Sequence, residues 1–268
     1  MTIKMVVSDL DGTFLNDEHA IPEGNRAAVK ALLASGKQFY IATGRLFKSA
    51  VKFAKQLELD IPIITYNGGL VKGSESGKIF YEKRMSKDLA QRVLDYVRER
   101  GYYLQFYAAD GELYVKEINE HSRQYVTIVE TTMQELGEKL YEPKEGPYKM
   151  LLVFSSEEFM ERWREFEEKF GNELDVTSSW PNYLELMPKG VNKWEAIKCV
   201  AELKGIKPEE IMCVGDSNND LPMIINAGIG VAMGNARDVV KAKADRIAPC
   251  NYECGVGQVI QELLANEK

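Results

Sequence analysis

Short apolar runs alternate with segments of amphipathic helical spacing through the first third of the chain. The runs at residues 3–8, 38–42 and 61–66 predict strands, and the periodic segments at 23–35, closed by Gly36, and at 46–57 predict helices. The last third repeats the style, with helices at 192–204, after Asn218 and from Gly255 onward, around strands at 211–214 and 229–232. Strands that alternate with helices pair in parallel, and the helices then cover both faces of the sheet. The predicted fold class is α/β, with a Rossmann-like doubly wound parallel sheet.

The middle breaks this rhythm. Leu89, Val93, Tyr96 and Val97 mark an amphipathic helix, and strands at 103–107 and 112–116 flank Ala109-Asp110-Gly111, whose Asp-Gly step marks a hairpin. A strand at 149–154, a helix at 157–170 and strands at 174–177 and 183–187 complete an α+β unit with antiparallel pairing. The predicted organisation is a core of residues 1–84 plus 188–268, with an α+β domain of residues 85–187 inserted between its halves. A length of 268 residues leaves room for two such units, and no internal repeat or low-complexity tract calls for a linker.

Composition narrows the partners. A net charge of −7 leaves no basic excess to neutralise phosphate backbones, so nucleic acid is not an expected partner. No apolar run approaches the ~20 residues that a bilayer-spanning helix needs, and the N-terminus enters a strand without a signal-peptide pattern. A cytoplasmic protein with no membrane partner is expected. Cys199, Cys213, Cys250 and Cys254 form no C-x-x-C, and only His19 and His121 supply imidazole, so carboxylates, hydroxyls and cations are the better-supplied groups.

Asp9 and Asp11 stand at the carboxyl end of a predicted central strand, where open α/β sheets bind ligands. Positions i and i+2 leave an extended strand on one face, so both carboxylates meet one ligand if the backbone stays extended, and Gly12 permits the turn that follows. Taken alone, a strand-ending turn explains the Asp-Gly step equally well. A second acidic group, Asp216-Ser217-Asn218-Asn219-Asp220, follows another strand end. Two such clusters in one crevice repel unless a cation occupies it, and hard oxygen ligands with waters to spare suit Mg²⁺. Helix capping accounts for Ser217 or Asn218 but leaves Asp216 unexplained. Thr43-Gly44-Arg45 opens a helix whose N–H groups favour anions, although ordinary capping has the same form. Lys193 lies in a first helical turn, where the dipole disfavours a cation; a functional role and a solvated side chain are both open.

Together, Asp9-x-Asp11-Gly12-Thr13, Thr43-Gly44-Arg45, Lys193 and Gly215-Asp216-x-x-Asn219-Asp220 resemble, in order and approximate spacing, the four motifs of the haloacid dehalogenase superfamily. The stretch with Met223 or Ile224, then Ala227, Gly230, Met233 and Ala236, resembles the second signature of its Cof-type hydrolases, and Asn67-Gly68-Gly69 resembles the Asn-Gly-Ala turn common there. The resemblance covers the predicted core, and the insertion looks like that subfamily's α/β cap.

The resemblance implies a Mg²⁺-dependent phosphoric monoester hydrolase acting on small phosphorylated metabolites, sugar phosphates foremost. It implies Asp9 as the nucleophile that becomes an aspartyl-phosphate, and Asp11 as the acid for the leaving alcohol and then the base for water. Asp9 and Asp216, with the Asp11 carbonyl, would hold the metal, and Asp220 would be accessory to it. Thr43, the Gly44 amide, Lys193, Asn219 and the Leu10 amide would hold phosphoryl oxygens. Arg45 matches the subfamily without an assigned contact. Gly69 replaces the commoner alanine, and Trp194 stands where glycine is frequent; Trp194 fits an apolar stripe with Ile197 and Ala201 and reads as core.

A phosphomutase on the same fold, or a phosphatase of a phosphorylated cofactor such as pyridoxal phosphate or FMN, remains an alternative. A non-catalytic protein on this fold would have lost Asp9, Asp11 or Asp216, and all three are present. In the insertion, Tyr102, Tyr103, Phe106, Tyr107, Trp180 and Tyr183 read as core aromatics or as ring-stacking groups, and 178–182 as a specificity loop.

Overall fold

The computed structural model describes residues 2–129 and 131–266. Strands β1 (Met5–Ser8), β2 (Gln38–Ile41) and β3 (Pro62–Thr65) come first, and β3 turns back through β4 (Leu70–Gly73) and β5 (Ile79–Glu82). Then follow β6 (Leu104–Tyr107), β7 (Leu113–Val115), β8 (Gln134–Glu135), β9 (Lys149–Val153), β10 (Leu174–Thr177) and β11 (Tyr183–Pro188). The order closes with β12 (Ile211–Gly215), β13 (Ile229–Ala232) and β14 (Arg246–Ile247).

The first sheet runs β14-β13-β12-β1-β2 with every pairing parallel, and a parallel bridge between Ala42 and Ile64 continues it to β3. Along β1 the side chains alternate between two apolar layers. Val6 joins Ala28, Val29 and Leu32 of the helix Glu23–Ala34 and Val256, Val259 and Ile260 of the helix Gly255–Asn266. Met5 and Val7 join Trp194, Ile197 and Val200 of the helix Lys193–Lys204, so Trp194 is core, as its spacing predicts. Burial on both faces is why these strands read as unbroken apolar runs. Chain order reverses at β1, whose neighbours are β2 on one side and β12 on the other; the crevice of such a sheet opens at that point.

The second sheet runs β10-β11-β9-β6-β7-β8. Its pairings are antiparallel, as the sequence predicts, except β7 with β8. There the unanticipated helix Glu120–Val129 stands between the strands and carries the chain back to the starting end, which makes the pair parallel. One face of this sheet, with Met150, Leu152, Leu184 and Leu186, packs on the helices Lys87–Arg100 and Phe159–Phe170. On its other face Tyr107, Leu151 and Tyr183 join Leu46, Tyr66 and Leu70 of the first part of the chain. The β4–β5 hairpin was likewise unanticipated.

Candidate active site

Asp9 follows β1 directly, and its N–H donates to the Val214 carbonyl of β12 at 3.0 Å, which fixes its carboxylate at the reversal point of the sheet. Its Oδ1 accepts from Lys193 Nζ at 2.6 Å, and the same ammonium donates to Asp220 Oδ1 at 2.6 Å. Lys193 is wholly buried in the first turn of its helix, which Asn192 caps by accepting from the Glu195 N–H. Burial works to lower the lysine pKa, and Asp220 and Asp9 overcome it and raise it. That is the answer to a cation in a first turn: two adjacent carboxylates outweigh a helix dipole.

Asp220 uses its second oxygen to accept the Asp216 and Ser217 N–H groups, both at 3.0 Å, and so shapes the loop that aims Asp216. Asp216 accepts from Thr13 Oγ1 and Ser217 Oγ, each at 3.0 Å. Gly12, at φ 71°, lets this approach occur: a Cβ there would stand 2.8 Å from Asp216 Oδ2. Asp9, Asp216 and Asp220 each place a carboxylate oxygen within 4.8 Å of the others. Burial, then Asp220, push Asp216 up to about 7, and burial raises Asp9 well above the carboxylate range against the pull of Lys193. Among the described residues Lys193 is the one ammonium bonded to this cluster, and it reaches two of its three carboxylates. The uncompensated negative charge and the all-oxygen donor set fit a hard divalent cation.

The Asp11 carboxylate lies outside that cluster. Arg45 grips it with Nε on Oδ2 at 2.7 Å and Nη2 on Oδ1 at 2.5 Å, and His19 Nδ1 lies 3.4 Å from Oδ1. Burial would raise the Asp11 pKa; the hydrogen bonds from Arg45, with His19 close by, outweigh it and hold the group at about 2. Arg45, the motif residue without an assigned contact, is therefore the clamp of Asp11. Thr43 accepts the Arg45 N–H at 3.2 Å just before the helix Phe47–Gln56.

One cleft brings together Asp9, Asp11, Thr43, Gly44, Asp216 and Asn219. Behind its walls lie Lys193, Asp220 and Leu10, each fully buried. Facing them from the second sheet and its loops are Tyr125, Lys149, Ser179, Trp180, Tyr183 and Glu185. Of the aromatics singled out in the insertion, Trp180 and Tyr183 reach the cleft, stacked with centroids 5.6 Å apart, whereas Tyr102 and Phe106 pack in the opposite apolar layer. Sequence reasoning missed His19, Tyr125, Lys149 and Glu185. Lys149 Nζ donates to Glu185 Oε1 at 2.7 Å, and both side chains are buried.

A parallel sheet carrying buried carboxylates at its reversal point, a lysine behind them and beside them a Thr-Gly turn that leads into the helix Phe47–Gln56, which begins at Phe47 rather than opening at Thr43 as the sequence predicts, defines a doubly wound α/β enzyme equipped for phosphoryl chemistry. Residues 6–260 match the haloacid dehalogenase-like hydrolases, and the chain belongs to that family. It is 33% identical over 260 residues to YcsE of Bacillus subtilis, a 5-amino-6-(5-phospho-D-ribitylamino)uracil phosphatase, across 97% of this chain and 95% of that one. A haloacid dehalogenase-like hydrolase from Bacteroides thetaiotaomicron superposes with a TM-score of 0.86 at 28% identity over 98% of this chain and 100% of its own. The subclass IIB sugar phosphatase BT4131 superposes at 0.83 with 26% identity, over 97% and 98%. The chain is an enzyme of this superfamily's phosphatase class, as the Cof-type resemblance implies. Among the described residues no helix is long and apolar enough to cross a membrane.

Proposed function

We propose that the chain is a magnesium-dependent phosphatase that hydrolyses phosphate monoesters of sugars or related polyols through an aspartyl-phosphate on Asp9. One observation carries this reading. Asp220 has both oxygens engaged by Lys193 and the loop amides, whereas Asp9, in the cleft, is held through Oδ1 alone among the described groups. Asp9 is the carboxylate with an oxygen to spare for phosphorus.

In the first step Asp9 Oδ2 bonds to phosphorus, the bond from phosphorus to the alcohol oxygen breaks, and Asp11 gives that oxygen its proton. In the second, Asp11 takes a proton from water as the water oxygen bonds to phosphorus; the acyl-phosphate bond breaks, orthophosphate leaves and Asp9 is restored. The Arg45 grip on Asp11 matches the ionised state that the second step requires. For the first, Arg45 must ease its hold as the phosphate dianion arrives, which lets Asp11 take up a proton. Thr43, the Gly44 amide, the Leu10 amide, Lys193 and Asn219 hold the phosphoryl oxygens. Asp9, Asp216 and the Asp11 carbonyl would hold Mg²⁺, with Asp220 accessory, and the bound cation would supply the charge that offsets repulsion between the carboxylate nucleophile and the dianion.

Residues 85–187 serve as the cap, and their sheet supplies the wall of the cleft that faces the leaving group. Two named proteins support a polyol ester: one acts on a phosphorylated ribitylamino compound and the other is a sugar phosphatase. The stacked Trp180 and Tyr183 favour, as a second reading, a polyol phosphate that carries a flat ring. Phosphate release from sugar phosphates, a ribityl phosphate, pyridoxal phosphate and an aryl phosphate tests both. Polyol esters are expected to exceed the aryl ester in kcat/KM by about tenfold or more, a difference of about 1.4 kcal/mol, with release lost in EDTA and restored by Mg²⁺. Equal rates across the panel would remove the substrate reading, and release indifferent to EDTA would remove the metal.

A further inference from the structure

The Asn67-Gly68 turn between β3 and β4 has no part in the mechanism above, yet its construction is costly. Tyr66 and Asn67 are consecutive non-glycine residues in the left-handed region, at φ 51° and 54°. Such backbone persists only where surrounding structure enforces it, and it concentrates at functional sites. Two glycines make room for the turn. A Cβ on Gly44 would stand 2.7 Å from Asn67 Oδ1, and a Cβ on Gly68, at φ 100°, would stand 2.2 Å from the Asn192 carbonyl oxygen, just before Lys193.

The Asn67 side chain is 2% exposed and bridges two parts of the molecule. Its Nδ2 donates to Glu185 Oε2 on β11 at 2.6 Å, and its Oδ1 accepts from Asn219 Nδ2 at 3.0 Å. The remaining Glu185 oxygen accepts from Lys149 Nζ at 2.7 Å and Ser179 Oγ at 3.1 Å. A carboxylate only accepts. Glu185 therefore obliges Asn67 to turn its NH₂ toward β11 and its oxygen toward Asn219. That oxygen in turn obliges Asn219 to present its own NH₂, one proton of which remains for a ligand. Asn219 Oδ1 is buried with no hydrogen-bond partner in the structure, which is consistent with an orientation imposed by Asn67 rather than chosen by Oδ1.

We propose that Asn67 is a positioning residue that couples the seating of the second sheet, through Glu185, to the carboxamide of Asn219, so that Asn219 aims an N–H at the phosphoryl group. This rests on the reading of Asn219 as a phosphate ligand. Among the described residues only the Glu185 contact selects this orientation of the two carboxamides, so the grip on phosphate depends on a residue of β11.

The test is calorimetric binding of inorganic phosphate to the full chain in excess Mg²⁺. Orthophosphate has no leaving group, so a role of Glu185 in substrate selection cannot register. Asn67→Gly keeps the left-handed backbone free of strain while deleting the carboxamide. Glu185→Gln keeps the shape; its oxygen is drawn to Lys149, which turns its NH₂ toward Asn67 and reverses the relay. Each is expected to weaken phosphate binding by about tenfold, the scale of one charge-assisted hydrogen bond. Combined with Asn219→Ala, neither should add its full effect. Variants that fold, yet bind phosphate within about twofold of the parent, or whose losses add fully to that of Asn219→Ala, would overturn the relay. A parent chain that does not bind orthophosphate would overturn the phosphate reading beneath it.

Discussion

Asp9→Asn is expected to lower kcat by about 10³-fold or more while leaving the folded state as stable as the parent or more so. The two effects have one cause. Burial disfavours the ionised Asp9, and its pKa stands well above the carboxylate range although Lys193 pulls it down. A group whose pKa is raised on folding costs stability wherever it is ionised, so a neutral amide of the same shape removes that cost. Lys193 keeps Asp220 at 2.6 Å, so its charge is not stranded. The nucleophile, however, is gone, because an amide does not supply an anionic oxygen to phosphorus. Phosphate release and a denaturant midpoint on the same preparation check both halves. A variant that keeps its rate would remove Asp9 as nucleophile, and one that unfolds in milder denaturant would contradict the electrostatic account.

Lys193→Met is expected to do the opposite to the fold and the same to the rate. It removes the cation bridging Asp9 and Asp220 and leaves two buried carboxylates side by side. Loss of one partner from a buried ion pair costs about 3–5 kcal/mol. In metal-free protein the deficit should also depend on pH in a definite sense. Burial and then Asp220 already push Asp216 up to about 7, against 3.8 for an ordinary Asp, and removal of the ammonium pushes its neighbours the same way. Within that window the folded state binds more protons than the unfolded one, so stability falls as pH rises. The variant's deficit should therefore shrink as pH falls from 7 toward 5. Denaturant midpoints in EDTA at both pH values read this, and a deficit that grows on acidification would show that Lys193 does not offset these carboxylates.

The parallel sheet was legible because its strands are buried on both faces: Met5-Val6-Val7 and Ile211-Met212-Cys213-Val214 have no polar position to obscure them. The acidic centre was legible because each member sits at a strand end beside a diagnostic neighbour. Partners distant in sequence were not. The grip of Arg45 on Asp11 spans 34 residues and depends on how two strand-end loops meet. Lys149 and Glu185 did leave a signal: Glu185 stands between Leu184 and Leu186, and Lys149 precedes Met150, so strand alternation turns both charges away from the apolar layer. That their face looks onto the cleft depends on where the second sheet sits, which no local pattern records. The β4–β5 hairpin and the helix Glu120–Val129 lay in short or polar stretches where periodicity is weak.

The most direct measurement is mass spectrometry of the enzyme acid-quenched during turnover of its best substrate with Mg²⁺, reading the peptide that contains Asp9. One added phosphoryl group on Asp9, lost on mild alkaline treatment and absent from Asp9→Asn, is the predicted result. A phosphoryl group on any other residue would contradict the account, as would undiminished turnover in Asp9→Asn.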